Sequence, residues 1–320
     1  MSVENLSWIR LALQWRGSVA PKVLPGVFLC GGLGFLVSLL DYLELPIFWQ
    51  GFDLLITNVS YNLVLGLLLV FRTNSAYERF REGRKAWVDL TANIRNLGYL
   101  MWVAIAEANP QDRENKVATL RLLVALAVST KLQLRQQPIN NELEKLITPD
   151  QFLKLKTVES TPLQLAVWIA EYLQQQYQRN LVNANQLTAM NGLINSLLEA
   201  ITTCERIVTT PIPLAYTIYL KRLLLIYCTF LPFQVGSKLD WWTVPIVTIL
   251  SFVLLAIEQI GTEIENPFGD DANDLPLEDY CTTIVNNIKD LIAPNSEENL
   301  EVRSPEIELT SHPLFLSLDN

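Results

Sequence analysis

Residues 54–71, LLITNVSYNLVLGLLLVF, run for 18 positions without a charge, and residues 72–102, RTNSAYERFREGRKAWVDLTANIRNLGYLMW, follow with no proline among them. A helix needs about 20 apolar residues to cross a hydrocarbon core. The first stretch is close to that length and the second holds no helix breaker. One long helix is therefore predicted to leave a membrane and continue into water. Two further stretches read the same way. Residues 23–40, VLPGVFLCGGLGFLVSLL, are 18 uncharged positions between Lys22 and Asp41, and residues 241–257, WWTVPIVTILSFVLLAI, are 17 between Asp240 and Glu258. A fourth, from Pro211 to about Val235, is interrupted by Lys221 and Arg222. It still counts as a span, because long basic side chains near a helix end reach back to the interface or pair with an acid such as Glu258.

Composition agrees. Of 320 residues, 50% are hydrophobic and 18% charged, with a mean hydropathy of +0.23. An average soluble domain carries about 25% charged residues. A net charge of −9 and a pI near 4.8 speak against a nucleic-acid partner. The single histidine, His312, removes histidine-based catalysis and histidine-rich zinc sites. Cys30, Cys204, Cys228 and Cys281 are far apart and form no paired motif. Gly31, Gly32 and Gly34 in mid-run, with no small-residue cleavage site after them, make 23–40 a mature helix rather than a signal peptide.

Basic residues set the orientation. Arg10, Arg16 and Lys22 precede the first span, and Arg72, Arg79, Arg81, Arg84, Lys85 and Arg95 follow the second. Residues 41–53 hold acids and no base. Both termini and the middle segment are thus expected in the cytoplasm. Trp49, Trp241, Trp242 and Tyr42 fall at the outer ends, as interfacial aromatics do. The expected organisation is all-α: an N-terminal segment 1–22, spans one and two in 23–71, a cytoplasmic helical region 72–210, spans three and four in 211–260, a cytoplasmic segment 261–292 and an acidic tail 293–320. Prolines divide the middle region into helices over Arg113–Arg135, Pro162–Arg179 and Asn185–Thr210. The short apolar runs Leu97–Ala106 and Leu122–Val128 read as buried faces of soluble helices. The run Arg79, Arg81, Arg84, Lys85 reads as a solvated face, balanced by Glu78 and Glu82 at i, i+3 spacing.

Span two carries Thr57, Asn58, Ser60, Tyr61 and Asn62 at membrane depth, which is tolerable only if they face protein or water. Asn58, Asn62 and Gly66 share one helix face, and Val59, Leu63 and Leu67 share the adjacent one. From spacing alone the apolar trio is ordinary packing.

Three motifs in order, RTNSAYERFREGRKAW after span two, TPIPLAYT opening span three and ENPFGDDANDLPL after span four, resemble the bestrophin channel family. The likeness covers about residues 10–285 and is greater to the bacterial and plant-chloroplast branch than to the animal one. It implies a homopentamer of four-span subunits around one axial pore. It also implies an apolar neck at Val59, Leu63 and Leu67, flanked by pore-lining Asn58, Asn62 and Gly66, and a cytoplasmic constriction whose candidates are Leu187 and Thr188. The animal relatives bind calcium on an unbroken acidic run. Here that run is cut to DDAND, leaving Asp271 and Asp274 as candidate ligands. No cofactor is expected to be required, and little calcium dependence is expected. The competing reading of these acids is helix capping by Asn266 or Asp274.

With no serine–histidine pair, P-loop or H-E-x-x-H, an enzyme is not expected. The expected activity is passive conduction of monovalent ions, anions such as chloride by preference, since apolar rings select by dehydration cost. A cation-conducting bacterial-type homologue and a non-conducting membrane scaffold are the alternatives. The expected partners are further copies of the chain, membrane lipid and the permeating ions. The expected location is a bacterial inner membrane or an internal, thylakoid-type membrane.

Overall fold

A computed structural model describes residues 8, 10, 13–15, 17–44 and 59–293. No strand occurs among them. The helices are α1 (Ala20–Tyr42), α2 (Val59–Ala104), α3 (Pro110–Leu134), α4 (Asn141–Glu144), α5 (Pro149–Leu155), α6 (Thr161–Gln178), α7 (Ala184–Thr209), α8 (Leu214–Leu239), α9 (Thr243–Ile264) and α10 (Leu277–Ile292). The expected helix boundaries hold to within a few residues, because the stops and starts are local chemistry. Asn109 accepts from the Asp112 amide while the Asp112 carboxylate accepts from the amide of Asn109, with Pro110 in the first turn of α3. Thr148 with Gln151 and Asn183 with Gln186 build the same reciprocal caps on α5 and α7.

The 46-residue helix α2 organises the rest. At about 1.5 Å per residue it is roughly 69 Å long. Its first turns pack against α8 and α9, which also hold α1. The remainder forms a bundle with α3, α7 and α10, and α6 closes over α3 and α7. The large core lies in that bundle, around Trp87, Leu90, Ile94, Leu97, Leu120, Leu126, Leu165, Leu197 and Phe268. At the other end the described residues form two small clusters, Cys30, Cys228, Leu231 and Val247, and Leu65, Leu69, Leu220 and Leu224. There large apolar side chains such as Phe28, Phe35, Leu225 and Ile249 point outward, as lipid permits and water does not. The chain is a multi-pass integral membrane protein.

By length and composition, four helices among the described residues could cross a membrane: Ala20–Tyr42, Pro110–Leu134, Leu214–Gly236 and Asp240–Ile264. The second of these is α3, and 78% of its apolar window is buried within the chain, against 33% or less for the others. It is apolar on all sides because protein surrounds it on all sides. Of the uncharged stretch 54–71, residues 59–71 lie within the described part of α2.

Aromatic side chains gather where α1 ends and α9 begins. Trp241 meets Phe35 and Tyr42 with ring centroids 5.9 and 6.1 Å apart, and Ser38 Oγ donates to the Asp240 carbonyl at 3.2 Å. Trp49 lies outside the described residues, as does the tail from 294 onward.

Candidate functional site

Helix α2 has two faces. Leu65, Leu69, Arg72, Ala76, Gly83, Trp87, Leu90, Ile94, Leu97 and Met101 form the buried one. On the opposite face Val59, Leu63 and Leu67 are 78, 60 and 46% exposed. At 100° per residue, Val70, Tyr77, Val88, Tyr99 and Val103 continue that same face down the helix, and all are exposed. The chain's own packing therefore does not account for the trio. The face is apolar from Val59 to Val70; farther along, exposed Asn74, Arg81, Lys85 and Arg95 share it with Tyr77, Val88, Tyr99 and Val103. Asn62 is exposed beside it, and a Cβ placed on Gly66 would meet nothing within 4 Å. Asn58 lies outside the described residues. Tyr61 is not on this face. Its hydroxyl donates to the Leu223 carbonyl at 2.8 Å and its ring stacks on Tyr227, so it fastens α2 to α8.

Below this stripe two arginines anchor α2. Arg72, the first charge after the apolar stretch, is buried. It donates to Thr217 Oγ1 at 2.8 Å and to Glu265 Oε2 at 2.7 Å. The other oxygen of Glu265 accepts from the Ile212 amide at 2.9 Å. One ion pair thus joins α2, the Pro211–Pro213 link, α8 and the end of α9. Arg79 donates to the carbonyls of Ile207, Thr210 and Glu265, satisfying the end of α7. It is part of the packing rather than of a solvated face, and Glu82 pairs across to Arg206. Arg81, Arg84 and Lys85 remain exposed. In the sequence alone Arg72 is only a charge that ends a span. The signal that marks it is a lone arginine ending an apolar stretch, with the acid Glu265 just ahead of Asn-Pro-Phe-Gly. Lys221 does find Glu258, at 3.7 Å.

Leu187 and Thr188 sit on the first turn of α7. Leu187 packs against the core, while Thr188 is exposed and donates to the Ala184 carbonyl at 2.9 Å.

The acidic turn after α9 is built around Asp274. Its Oδ2 accepts from the Asp271 amide at 2.7 Å. It therefore closes a turn and caps no helix. Asn266 likewise accepts from Phe268 within the turn. Lys22, from the start of α1, lies 3.0 Å from buried Glu263 and 3.2 Å from Asp271. Asn273 holds the second oxygen of Glu263 at 2.8 Å. Burial raises the Asp274 pKa above its usual 3.8, and the carboxylates of Asp271, Glu263 and Asp270 add to the shift. Among the described residues no group of three or more His, Cys, Asp or Glu is placed to hold a metal ion. Lys22 pairs with Glu263 and Asp271, and among the described residues no cation pairs with Asp274.

A long helix whose Val59–Val70 segment bares an apolar face, backed by three apolar helices and continued into a helical bundle, defines a multi-span helical membrane protein. The chain belongs to the bestrophin family: residues 1–290 match the family described as Bacterial/Fungal Bestrophin protein. It is 48% identical to a voltage-dependent anion channel-forming protein of Nostoc sp., over 98% of this chain and 99% of that one. It is 46% identical to a protein of the same description from Synechocystis sp., over 89% and 92%. Its fold is similar to that of a bacterial bestrophin homologue from Klebsiella pneumoniae, with a TM-score of 0.75, 25% identity, and coverage of 87% of this chain and 99% of that one.

Proposed function

We propose that this chain assembles as a ring of five identical subunits and conducts monovalent anions such as chloride passively through the ring's axis. The observation that carries the reading is the apolar stripe on α2. It faces away from the rest of its own chain, and beyond the apolar stretch Tyr77, Val88, Tyr99 and Val103 continue its line among exposed Arg81, Lys85 and Arg95. Water disfavours Tyr77, Val88, Tyr99 and Val103 on an open surface, and neighbouring copies would cover them. Where the stripe lies at membrane depth, Val59, Leu63 and Leu67 would ring the neck, with Asn58, Asn62 and Gly66 beside them. Leu187 and Thr188 belong to the same reading as a second, cytoplasmic constriction. Five subunits come from the family likeness. The anion preference draws on the names borne by the Nostoc and Synechocystis relatives and on dehydration cost at an aliphatic ring. These names and the family support a channel and not an enzyme. Little calcium dependence belongs to the same reading, with Lys22 pairing two acids of the turn, Glu263 and Asp271. The basic residues around spans one and two support a cytoplasmic placement of both termini and of residues 72–210.

The net charge of −9 favours the second reading, a cation conductor of the same architecture. Purified protein in a planar bilayer with asymmetric potassium chloride decides between them. A reversal potential near the chloride equilibrium value is expected. A value near the potassium equilibrium would establish the cation reading, and the absence of current would leave a scaffold.

A further inference from the structure

The outer surface of α8 carries a charge pair that the pore reading does not use. Lys221 and Arg222 are both exposed, among exposed Leu214, Ile218, Leu225 and Ile226. Lys221 has one acid, Glu258, at 3.7 Å, which is beyond hydrogen-bond distance. Arg222 makes no hydrogen bond or ion pair with a described residue. Two cations against one carboxylate leave a local excess of one positive charge in an apolar surface.

Depth and direction say what meets this charge. Helix α8 has 26 residues, about 39 Å of helix against a hydrocarbon core of about 30 Å. Trp241 and Trp242 are exposed at its far end, where indole rings mark the membrane interface. Counting back about 20 residues from Asp240, the number that spans the core, ends near Leu220. Lys221 and Arg222 therefore stand at the opposite boundary of the hydrocarbon, the level of lipid phosphates. The direction follows from the helix faces. Leu220, Leu224 and Tyr216 turn toward α2, and Leu65 and Leu69 meet them from α2. Val59, Leu63 and Leu67 lie on the far side of α2, and Ile218, Arg222 and Leu225 on the far side of α8. If the α2 stripe lines the axis, the Arg222 face looks away from it, into the bilayer. This direction rests on the pore reading above.

We propose that Arg222 and Lys221 form a binding site for the phosphate of an anionic phospholipid in the leaflet on the bundle's side, its acyl chains lying along Ile218 and Leu225. A phosphodiester oxygen supplies the charge that Arg222 lacks, with two guanidinium donors in the geometry a phosphate accepts. A zwitterionic lipid brings its own ammonium group and gains less.

The test is native mass spectrometry of the full-length protein purified in detergent with either phosphatidylglycerol or phosphatidylcholine. Phosphatidylglycerol is expected to be retained in preference, and the preference is expected to vanish at high salt. Lys221→Gln with Arg222→Gln should lower its retention about ten-fold, leaving phosphatidylcholine retention and oligomeric mass unchanged. Arg222→Lys should keep part of it, since the charge remains and the two-donor geometry is lost. Equal retention of the two lipids by the wild type would overturn the proposal, as would equal retention of phosphatidylglycerol by wild type and double variant. A double variant that falls to smaller oligomers would show that the cations contact another copy instead of lipid. A monomeric wild type would sink the pore reading alone, because its lipid preference is read in the same spectrum. Should the double variant not fold, the wild-type preference and its salt dependence still decide the question.

Discussion

Gly83 is where α2 passes beneath the Asn266–Gly269 turn. A Cβ there would come within 2.8 Å of Pro267 Cγ and 3.0 Å of Phe268 Cζ. Phe268 is fully buried against Trp87, so neither ring has room to retreat. Gly83→Ala is expected to destabilise the protein by about 1–3 kcal/mol, the usual penalty for overpacking. Gly192→Ala, where nothing lies within 4 Å, should instead gain roughly 0.5–1 kcal/mol from helix propensity. Melting in detergent compares the two, and equal shifts would contradict the close approach at Gly83. The carboxylates of the bundle set its acid limit. Lys131 holds Glu278 below the usual 4.5, and Arg179, with the amides of Ala108 and Asn109, holds Asp112 below 3.8. Each contribution is complete above the unfolded-state value and is lost as pH falls through the lower folded one. Lys131 runs the other way. Burial works against its ammonium, but hydrogen bonds from it to Glu142 and Glu278 outweigh that and raise its pKa above 10.5. Its contribution is complete below 10.5 and is lost as pH rises through the folded value. The melting temperature should therefore fall as pH drops below about 4 and hold near neutrality. A curve that is flat down to pH 2 would count against these pairs.

At the scale of the element, α2 serves two masters along one axis. Its bare face is the proposed neck, and its buried face is fixed by Arg72. Replacing Val59, Leu63 and Leu67 together with alanine should widen the neck and raise single-channel conductance. Unchanged current and ion preference would return the trio to plain packing. Arg72→Ala leaves Glu265 with half of its partners in a buried place and should cost about 3–5 kcal/mol. Arg72→Lys should recover only part of it, because one ammonium does not reach Thr217 and Glu265 with the spread of a guanidinium. A loss below about 1 kcal/mol in the alanine variant, the scale of a surface pair, would show the network to be solvated.

At the scale of the molecule, exposed Val59, Leu63 and Leu67 and, farther along, Tyr77, Val88, Tyr99 and Val103 demand partners that the single chain does not supply. A cyclic ring meets that demand with one contact repeated around the axis. The oligomer is expected to survive mild detergent, and mass measurement should return five copies. Val88→Glu with Tyr99→Glu should break it into smaller species while each subunit keeps its helix content, since both positions are exposed in the single chain. A wild-type monomer or dimer would sink the ring and the channel with it. Unchanged mass in the double variant would move the contact elsewhere on the surface.

Local chemistry determined the helices. Proline positions, side-chain caps and the uncharged stretches act within a few residues, so the ends of α3, α5 and α7, the unbroken length of α2 and the membrane class were all legible in the chain. So was the family, through three motifs in order. Which face of α2 stays bare was not legible, because Val59, Leu63 and Leu67 have the spacing of packing residues. Only the docking of α8 and α9 on the other face excludes intrachain packing for them. Charge partners were illegible for the same reason. Helical spacing paired Glu82 with neighbours on α2, yet its partner is Arg206 on α7. Arg79 looked solvated and instead closes the end of α7. Lys22 and Asp271 lie 249 residues apart in sequence and 3.2 Å apart in the fold. An ion pair forms wherever desolvated charges are brought together, and helix–helix packing, not sequence neighbourhood, decides where that is.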